Sequence, residues 1–293
     1  MTTLVRRACI DIGSNTTRLL IAECGDGSLR ELHQQRAFTR IGAAVGLDGA
    51  ISPSKIAEVA AVVSEQLLVA QSYGVTSVRG VATAAIRRAA NGDQLVGAIA
   101  DRSGLEVTVL SAEEEARLAF VGAAGTLGRV PDGALGVVDV GGGSSELVVG
   151  AAPDTVGWWA SFALGSGDLA DGFFRSDPPA ETEISAARVR VAEALGGLEV
   201  PQPVEALAVG GSATSLAILA GPRLDADAFK RAFGVLTSEP ASRVAARFSL
   251  DLERVRLLPA GLLILEAASR VFGVALAVGR GGIREGMLLE AAR

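Results

Sequence analysis

The sequence predicts an α/β protein of two related lobes, each built on a mixed sheet. Three observations carry this. The segment 11–22, DIGSNTTRLLIA, lies over 139–150, DVGGGSSELVVG, without a gap: Asp11 meets Asp139, Gly13 meets Gly141, Thr16 meets Ser144 and Thr17 meets Ser145. Each copy puts a glycine-containing turn between two apolar runs and is followed by strand–turn–helix units. The chain has 293 residues, 49% hydrophobic and 20% charged, which is material for two cores. Only 4% of residues are aromatic, so those cores are expected to be aliphatic.

The elements follow in order. Residues 5–12 and 17–23 read as strands joined by GSNT. Residues 54–73 carry apolar positions at helical spacing, with Ser52 or Ser54 near the start. Residues 76–91 read as strand, turn and helix, stopped by Asn91-Gly92. GLEVTVLS (104–111) alternates as a strand. Residues 111–125 form a helix opened by a capping box, with Ser111 as N-cap and Glu114 three residues on. The device then repeats: a strand at 134–140, the turn GGGSS, and a returning strand at 146–151. WWASFALGSGDLAD suggests a third strand and a loop, and 182–196 a helix. Residues 204–221 and 276–293 each read as strand, Gly-rich turn and helix. The duplication puts the seam in the turn-rich stretch GAAGTLGRVPDG, with one lobe over 1–122 and the other over 123–282. The C-terminal helix, about 283–293, is a candidate to pack back on the first lobe. Gly-rich turns between strand ends and helix starts are where α/β proteins place ligands, so the ligand is expected in a cleft between the lobes.

Composition narrows the chemistry. The net charge of −6 argues against a nucleic-acid or anionic-membrane surface, so positive potential for a phosphate must be local. Cys9 and Cys24 read as buried thiols. With a single histidine, His33, an ordinary zinc site or a Ser-His-Asp hydrolase is disfavoured. The N-terminus lacks the apolar core of a signal peptide, and no apolar run reaches about 18 residues. A cytoplasmic protein is the expectation.

In DVGGGSSE, Gly141, Gly142 and Gly143 let a phosphate approach the backbone, and Ser144 and Ser145 add hydroxyls. Read alone, the segment is either a plain hairpin turn or a phosphate loop; the matching copy (Asp11, Gly13, Ser14, Asn15, Thr16) favours the loop. Asp139 and Glu146 would repel a bare anion and make sense with a divalent cation between them and the phosphate. Arg18 stands where the second copy has Glu146, so one loop suits phosphate and the other metal or water. In SAEEEARL, Glu113 and Glu114 have Arg117 at helical spacing, whereas Glu115 has no local cation and leans toward the apolar stripe. Glu115 is either a helix-edge carboxylate in water or a half-desolvated base with a raised pKa. Thr83 lies in a turn with Arg87 in reach of a phosphate. Arg40, Arg280 and Arg284 lie near other turns and read as either phosphate ligands or solvated surface. In VGGSAT, Gly211 and Ser212 open a helix that binds phosphate or serves as a packing turn.

DIGSNTTRLLIA, VATAAIRRAAN, LSAEEEARLAFVGA, VVDVGGGSSELVVG, VGGSATSLA, LLPAGLLILEAA and GIREGMLLE fall in one order. In that order they resemble the exopolyphosphatase / guanosine pentaphosphatase (Ppx/GppA) phosphatase family, and the resemblance spans nearly the whole chain. It implies the actin-like ATPase fold (ribonuclease H-like, ASKHA) and hydrolysis of a terminal phosphoanhydride with Mg²⁺, with Mn²⁺ and K⁺ as further candidate ions. It implies that Glu115 is catalytic, and that Asp139 and Glu146 are metal- and water-associated, with Asp11 as a further metal candidate. The implied substrate is inorganic polyphosphate; pppGpp hydrolysed at its 5′ end, or a non-enzymatic ppGpp sensor, are the alternatives. A homodimer and ppGpp regulation are part of the same expectation. Two departures count: Ala112 stands where the family usually has Gly, and the chain looks like the short two-lobe type without a further helical domain.

Overall fold

The computed structural model describes residues 4–25, 27–46, 48–75 and 77–292. The chain divides into two compact units, Met1–Thr126 with Gly281–Arg293, and Leu127–Arg280.

The first unit opens with a meander of β1 (Val5–Ile12), β2 (Thr17–Gly25) and β3 (Ser28–Ala37). Helix α1 (Pro53–Ser72) follows, capped by the Ser52 hydroxyl, which accepts from the Lys55 amide. Then come β4 (Ser77–Ala82), α2 (Ala84–Arg88), α3 (Gly92–Ser103), β5 (Val107–Val109) and α4 (Ala112–Gly125). The sheet order is β3-β2-β1-β4-β5; β4 runs parallel to β1, and β5 parallel to β4. Strand periodicity sorts β1 between two layers. Ala8, Ile10 and Ile12 face the core that holds Val59, Val63 and Ile99. Cys9 faces the opposite layer, with Leu20, Leu110 and Leu118. Both cysteines are free and buried.

The second unit repeats the hairpin as β6 (Leu135–Val140) and β7 (Ser145–Ala151), then adds β8 (Thr155–Phe162), α5 (Ser166–Phe173) and α6 (Glu181–Leu195). It continues with β9 (Glu205–Val209), α7 (Gly210–Ala220), β10 (Arg223–Leu224), α8 (Ala226–Ser238), α9 (Ala241–Phe248), α10 (Leu252–Phe272) and β11 (Leu276–Val278). Its sheet order is β10-β11-β9-β6-β7-β8, with β9 parallel to both β6 and β11. Helix α10 is the centre of this core: Leu258, Leu262, Ile264, Leu265 and Phe272 are fully buried.

The last helix, α11 (Ile283–Glu290), lies in the first unit against α4 at backbone distance. An added Cβ at Gly122 would fall on the Gly282 carbonyl and 2.8 Å from the Gly286 amide, so only glycine permits the approach. Arg117 of α4 pairs with Glu290 of α11.

Several elements depart from the sequence expectation. Strand β3 was not expected, because as an edge strand it is polar on both faces. Asn91-Gly92, expected to stop a helix, opens α3: Asn91 is its N-cap, and its amide side chain donates to the Ile51 carbonyl. GSGDLAD, expected as a loop, opens helix α5, with Gly165 as its N-cap. The alternating segment 104–111 pairs only over Val107–Val109. Thr76, where the strand before α2 was expected to begin, lies outside the described residues.

Candidate active site

The two hairpins share one geometry. In β1–β2, Ile12 pairs with Thr17, and the Gly13 amide donates to the Thr16 carbonyl at 3.0 Å. In β6–β7, Val140 pairs with Ser145, and the Gly141 amide donates to the Ser144 carbonyl at 3.0 Å. Asp11 therefore stands opposite Arg18, and Asp139 opposite Glu146, at equivalent ladder positions.

Each turn is also braced from behind through its carbonyls. The Ser14 and Asn15 carbonyls accept from the Gly42 and Arg40 amides at 2.9 and 3.0 Å. The Gly141 carbonyl accepts from the Ser166 amide, and the Gly142 carbonyl from the Gly167 and Asp168 amides, at the first turn of α5. An added Cβ at Gly165 would strike the backbone of Gly142 and Gly143, so the α5 entry packs directly on the turn. These bonds engage the turn carbonyls, and an anion would call on the turns' N–H groups and hydroxyls. The side-chain amide nitrogen of Asn15 is a buried donor without a partner, and a phosphate oxygen would satisfy it.

In the first unit, Thr83 is 7% exposed at the N-cap of α2, its hydroxyl 4.0 Å from a Cβ position at Gly13. Arg87, one turn on, donates to the Leu110 carbonyl at 2.6 Å and forms an ion pair with Glu115. Glu115 sits in the first turn of α4 and is 2% exposed. Its local neighbours offer no cation; the fold brings Arg87 from another helix. The carboxylate is buried as the sequence suggests, and the cation its own helix lacks comes from Arg87. Asp11 keeps a buried carboxylate oxygen with no hydrogen bond. Burial pushes its pKa up; Arg284 and then Arg18 oppose that, and Glu285 adds to it.

In the second unit, Asp139 and Glu146 face each other across the ladder, a repulsive pair unless a cation lies between or they bind other groups. Glu146, 2% exposed, accepts from the Ser161 hydroxyl at 2.9 Å. A Cβ at Gly210, the first residue of α7, would lie 2.7 Å from an Asp139 carboxylate oxygen. This donor set fits a hard divalent ion held by one or two carboxylates, with phosphate and water completing the shell. Among the described residues no group of three or more His, Cys, Asp or Glu could hold a metal alone.

Three expected phosphate ligands behave differently. Ser145 is fully buried and its hydroxyl donates to the Leu164 carbonyl at 2.7 Å, so it fastens β7 rather than facing the turn. The Ser212 hydroxyl is buried against Gly261 of α10. Gly211 is covered by the guanidinium of Arg254, whose atoms would stand 2.5 to 2.6 Å from an added Cβ. Arg254, 7% exposed, escaped the sequence reading; its signal is a cation within the helical run that continues into LLPAGLLILEAA.

The sequence model of the Ppx/GppA phosphatase family matches residues 20–293. The chain belongs to the Ppx/GppA phosphatase family. It is 34% identical over 230 residues to Exopolyphosphatase 2 of Mycobacterium tuberculosis, covering 74% of this chain and 71% of that protein. To Exopolyphosphatase 1 of the same organism it is 27% identical over 306 residues, covering 98% and 88%. A crystal structure of the Aquifex aeolicus Ppx/GppA family member superposes with a TM-score of 0.82 at 30% identity, covering 99% of this chain and 98% of that one. The α/β fold with two mixed sheets expected from the sequence therefore holds, and as a Ppx/GppA member the chain is a phosphatase enzyme. The matched range begins after the DIGSNTTR loop.

Proposed function

We propose that the chain is an exopolyphosphatase that hydrolyses the terminal phosphoanhydride of inorganic polyphosphate. The observation that carries this is Glu115, buried at the start of α4 and held by Arg87. Exopolyphosphatase relatives in Mycobacterium tuberculosis support the substrate class.

Phosphoryl transfer asks a protein mainly for placement and charge neutralisation. Glu115 takes a proton from the attacking water; the water oxygen bonds to the terminal phosphorus, and the bridging P–O bond breaks. The products are orthophosphate and a chain shorter by one phosphate. Arg87, already beside Glu115, provides a cation for the phosphoryl oxygens and fixes the base. Gly13, Ser14, Asn15, Thr16, Arg18 and Thr83 bind phosphate in the first unit, and Gly141–Ser144 in the second. In the second unit Asp139 and Glu146 would hold Mg²⁺ or Mn²⁺; in the first unit Asp11 is a separate candidate carboxylate. That ion would supply neutralisation of the charge on the phosphoanhydride oxygens.

The test is orthophosphate release with Mg²⁺ from polyphosphate of several lengths, pppGpp and ATP at matched anhydride concentration. Polyphosphate is expected to be the best substrate, and Glu115→Gln to lower kcat by about 10²- to 10⁴-fold. Full turnover by a folded Glu115→Gln chain would sink the mechanism, and preferred cleavage of pppGpp would move the assignment to a 5′-phosphohydrolase.

A further inference from the structure

Arg284 is the single cation of α11, the first unit's last helix. It is 6% exposed, although nothing local in GIREG distinguishes it from a solvated arginine. Its contacts are long for a buried guanidinium: 3.4 Å to the Leu19 carbonyl and 3.7 Å to a Glu285 carboxylate oxygen. Such contacts alone poorly offset the cost of burying the charge. Glu285 is itself tied down, accepting from the Gly282 amide at 2.9 Å.

What lies near Arg284 explains it better. Leu19 pairs with Ile10, next to Asp11, in the β1–β2 ladder. Asp11 shares a strand face with Cys9, the face that turns toward α4 and α11. Asp11 has a buried oxygen without a hydrogen bond. Of the cations acting on it, Arg284 outweighs Arg18, its cross-strand partner. The side chain gets this close because α11 rides on α4 through glycines. A Cβ at Gly286 would meet the Leu118 backbone, and one at Gly281 would stand 2.5 Å from the Thr126 hydroxyl.

We propose that Arg284 is a positioning residue that fixes the Asp11 carboxylate beside the β1–β2 turn, so that the C-terminal helix completes the phosphate and metal site of the first unit. The placement of Arg284 stands on its contact with the Leu19 carbonyl, one ladder position from Asp11; its effect on turnover rests on the hydrolase reading above.

The experiment compares the natural chain, Arg284→Met, Asp11→Asn and the double variant, with Arg284→Met on Glu285→Gln as a second cycle. In thermal unfolding with EDTA, Arg284→Met is expected to lower Tm by roughly 5 °C. The same change made on Asp11→Asn should cost less than half as much, because the charge it strands is gone. In polyphosphate hydrolysis at saturating Mg²⁺, Arg284→Met should lower kcat about ten- to a hundredfold with KM within about twofold. Arg284→Lys should recover most of that loss, and Arg284→Met should add little to Asp11→Asn. Additive thermal effects of the Arg284 and Asp11 changes, or coupling to Glu285 alone, would overturn the proposal. If Arg284→Met fails to fold, the double variant with Asp11→Asn should fold, and its failure counts equally against the pairing. If the natural chain releases no orthophosphate from any phosphoanhydride, the proposed function falls, while the thermal cycle still decides the role of Arg284.

Discussion

Arg87 shows how one side chain can serve two partners. It binds the Leu110 carbonyl and the Glu115 carboxylate, and at 29% side-chain exposure it keeps access to solvent. Arg87→Met should therefore lower kcat/KM for polyphosphate by about 10²-fold or more, with both kcat and KM affected, in steady-state orthophosphate release. A change in KM alone would mean that Glu115 does not depend on it. Glu146→Gln should instead raise the Mg²⁺ concentration for half-maximal rate by about tenfold or more, read from a metal titration at fixed substrate. At this scale the sequence was only partly legible. Glu115 stands out because its helical neighbours offer no cation and its capping box fixes the helix start. The pairing of Asp11 with Arg18 and of Asp139 with Glu146 follows from the gapless repeat. Arg254 was missed and Arg284 was left open between phosphate ligand and solvated surface, because only tertiary packing decides that an arginine is buried. Ser145 and Ser212 fail for the same reason: a hydroxyl next to a glycine turn points wherever the strand or helix pleat sends it.

Elements were most legible where a local stop or start signal is chemical. The capping box of α4 is present as expected: the Glu114 amide donates to the Ser111 hydroxyl, and the Glu114 carboxylate accepts from the Ser111 amide at 2.8 Å. That backbone hydrogen bond lowers the Glu114 pKa, with the Ser111 hydroxyl contact adding to it. A carboxylate with a lowered folded pKa contributes its stability above its ordinary pKa and loses it as pH falls through the lowered value. Glu114→Gln should thus lower Tm at pH 7 and have a smaller effect near pH 3. Ser111→Ala, measured by denaturant unfolding, should cost about 1 kcal/mol. Where signals are ambiguous the reading slipped. Asn-Gly is as good a helix start as a stop, and its role is settled by the bonds of Asn91 with the Ile51 amide and carbonyl. The glycines of α4 and α11 were legible as glycines but not as a contact. Gly122→Ala should destabilise the first unit by about 1–3 kcal/mol, because the new methyl meets backbone that cannot yield. Gly97→Ala in α3, with nothing within 4 Å of its Cβ, should leave stability unchanged or raise it.

For the molecule as a whole, the sequence made the two units visible through their repeated hairpin, while the unit boundaries depend on where the last helix returns. The first unit comprises Met1–Thr126 together with Gly281–Arg293. Leu288 is fully buried with Cys9, Leu20 and Leu118. Deleting 281–293 should expose that layer, so the shortened chain is expected to lose cooperative unfolding of the first unit and be cut rapidly by protease, with the second unit persisting. A deletion that left both transitions intact would contradict the packing. No helix among the described residues is long and apolar enough to cross a membrane.

The return of α11 has a consequence for how the chain is made. Synthesis runs from the N-terminus, and domains tend to fold as they emerge. The second unit is one continuous stretch and can fold before the chain is finished. The first unit, although its strands are made first, must wait for α11 to leave the ribosome before Arg284 can reach Asp11 and α4 can find its partner. A chain stopped before α11 would carry every loop residue of the site and still lack a finished one, so phosphatase activity in this protein reports that translation has passed α11.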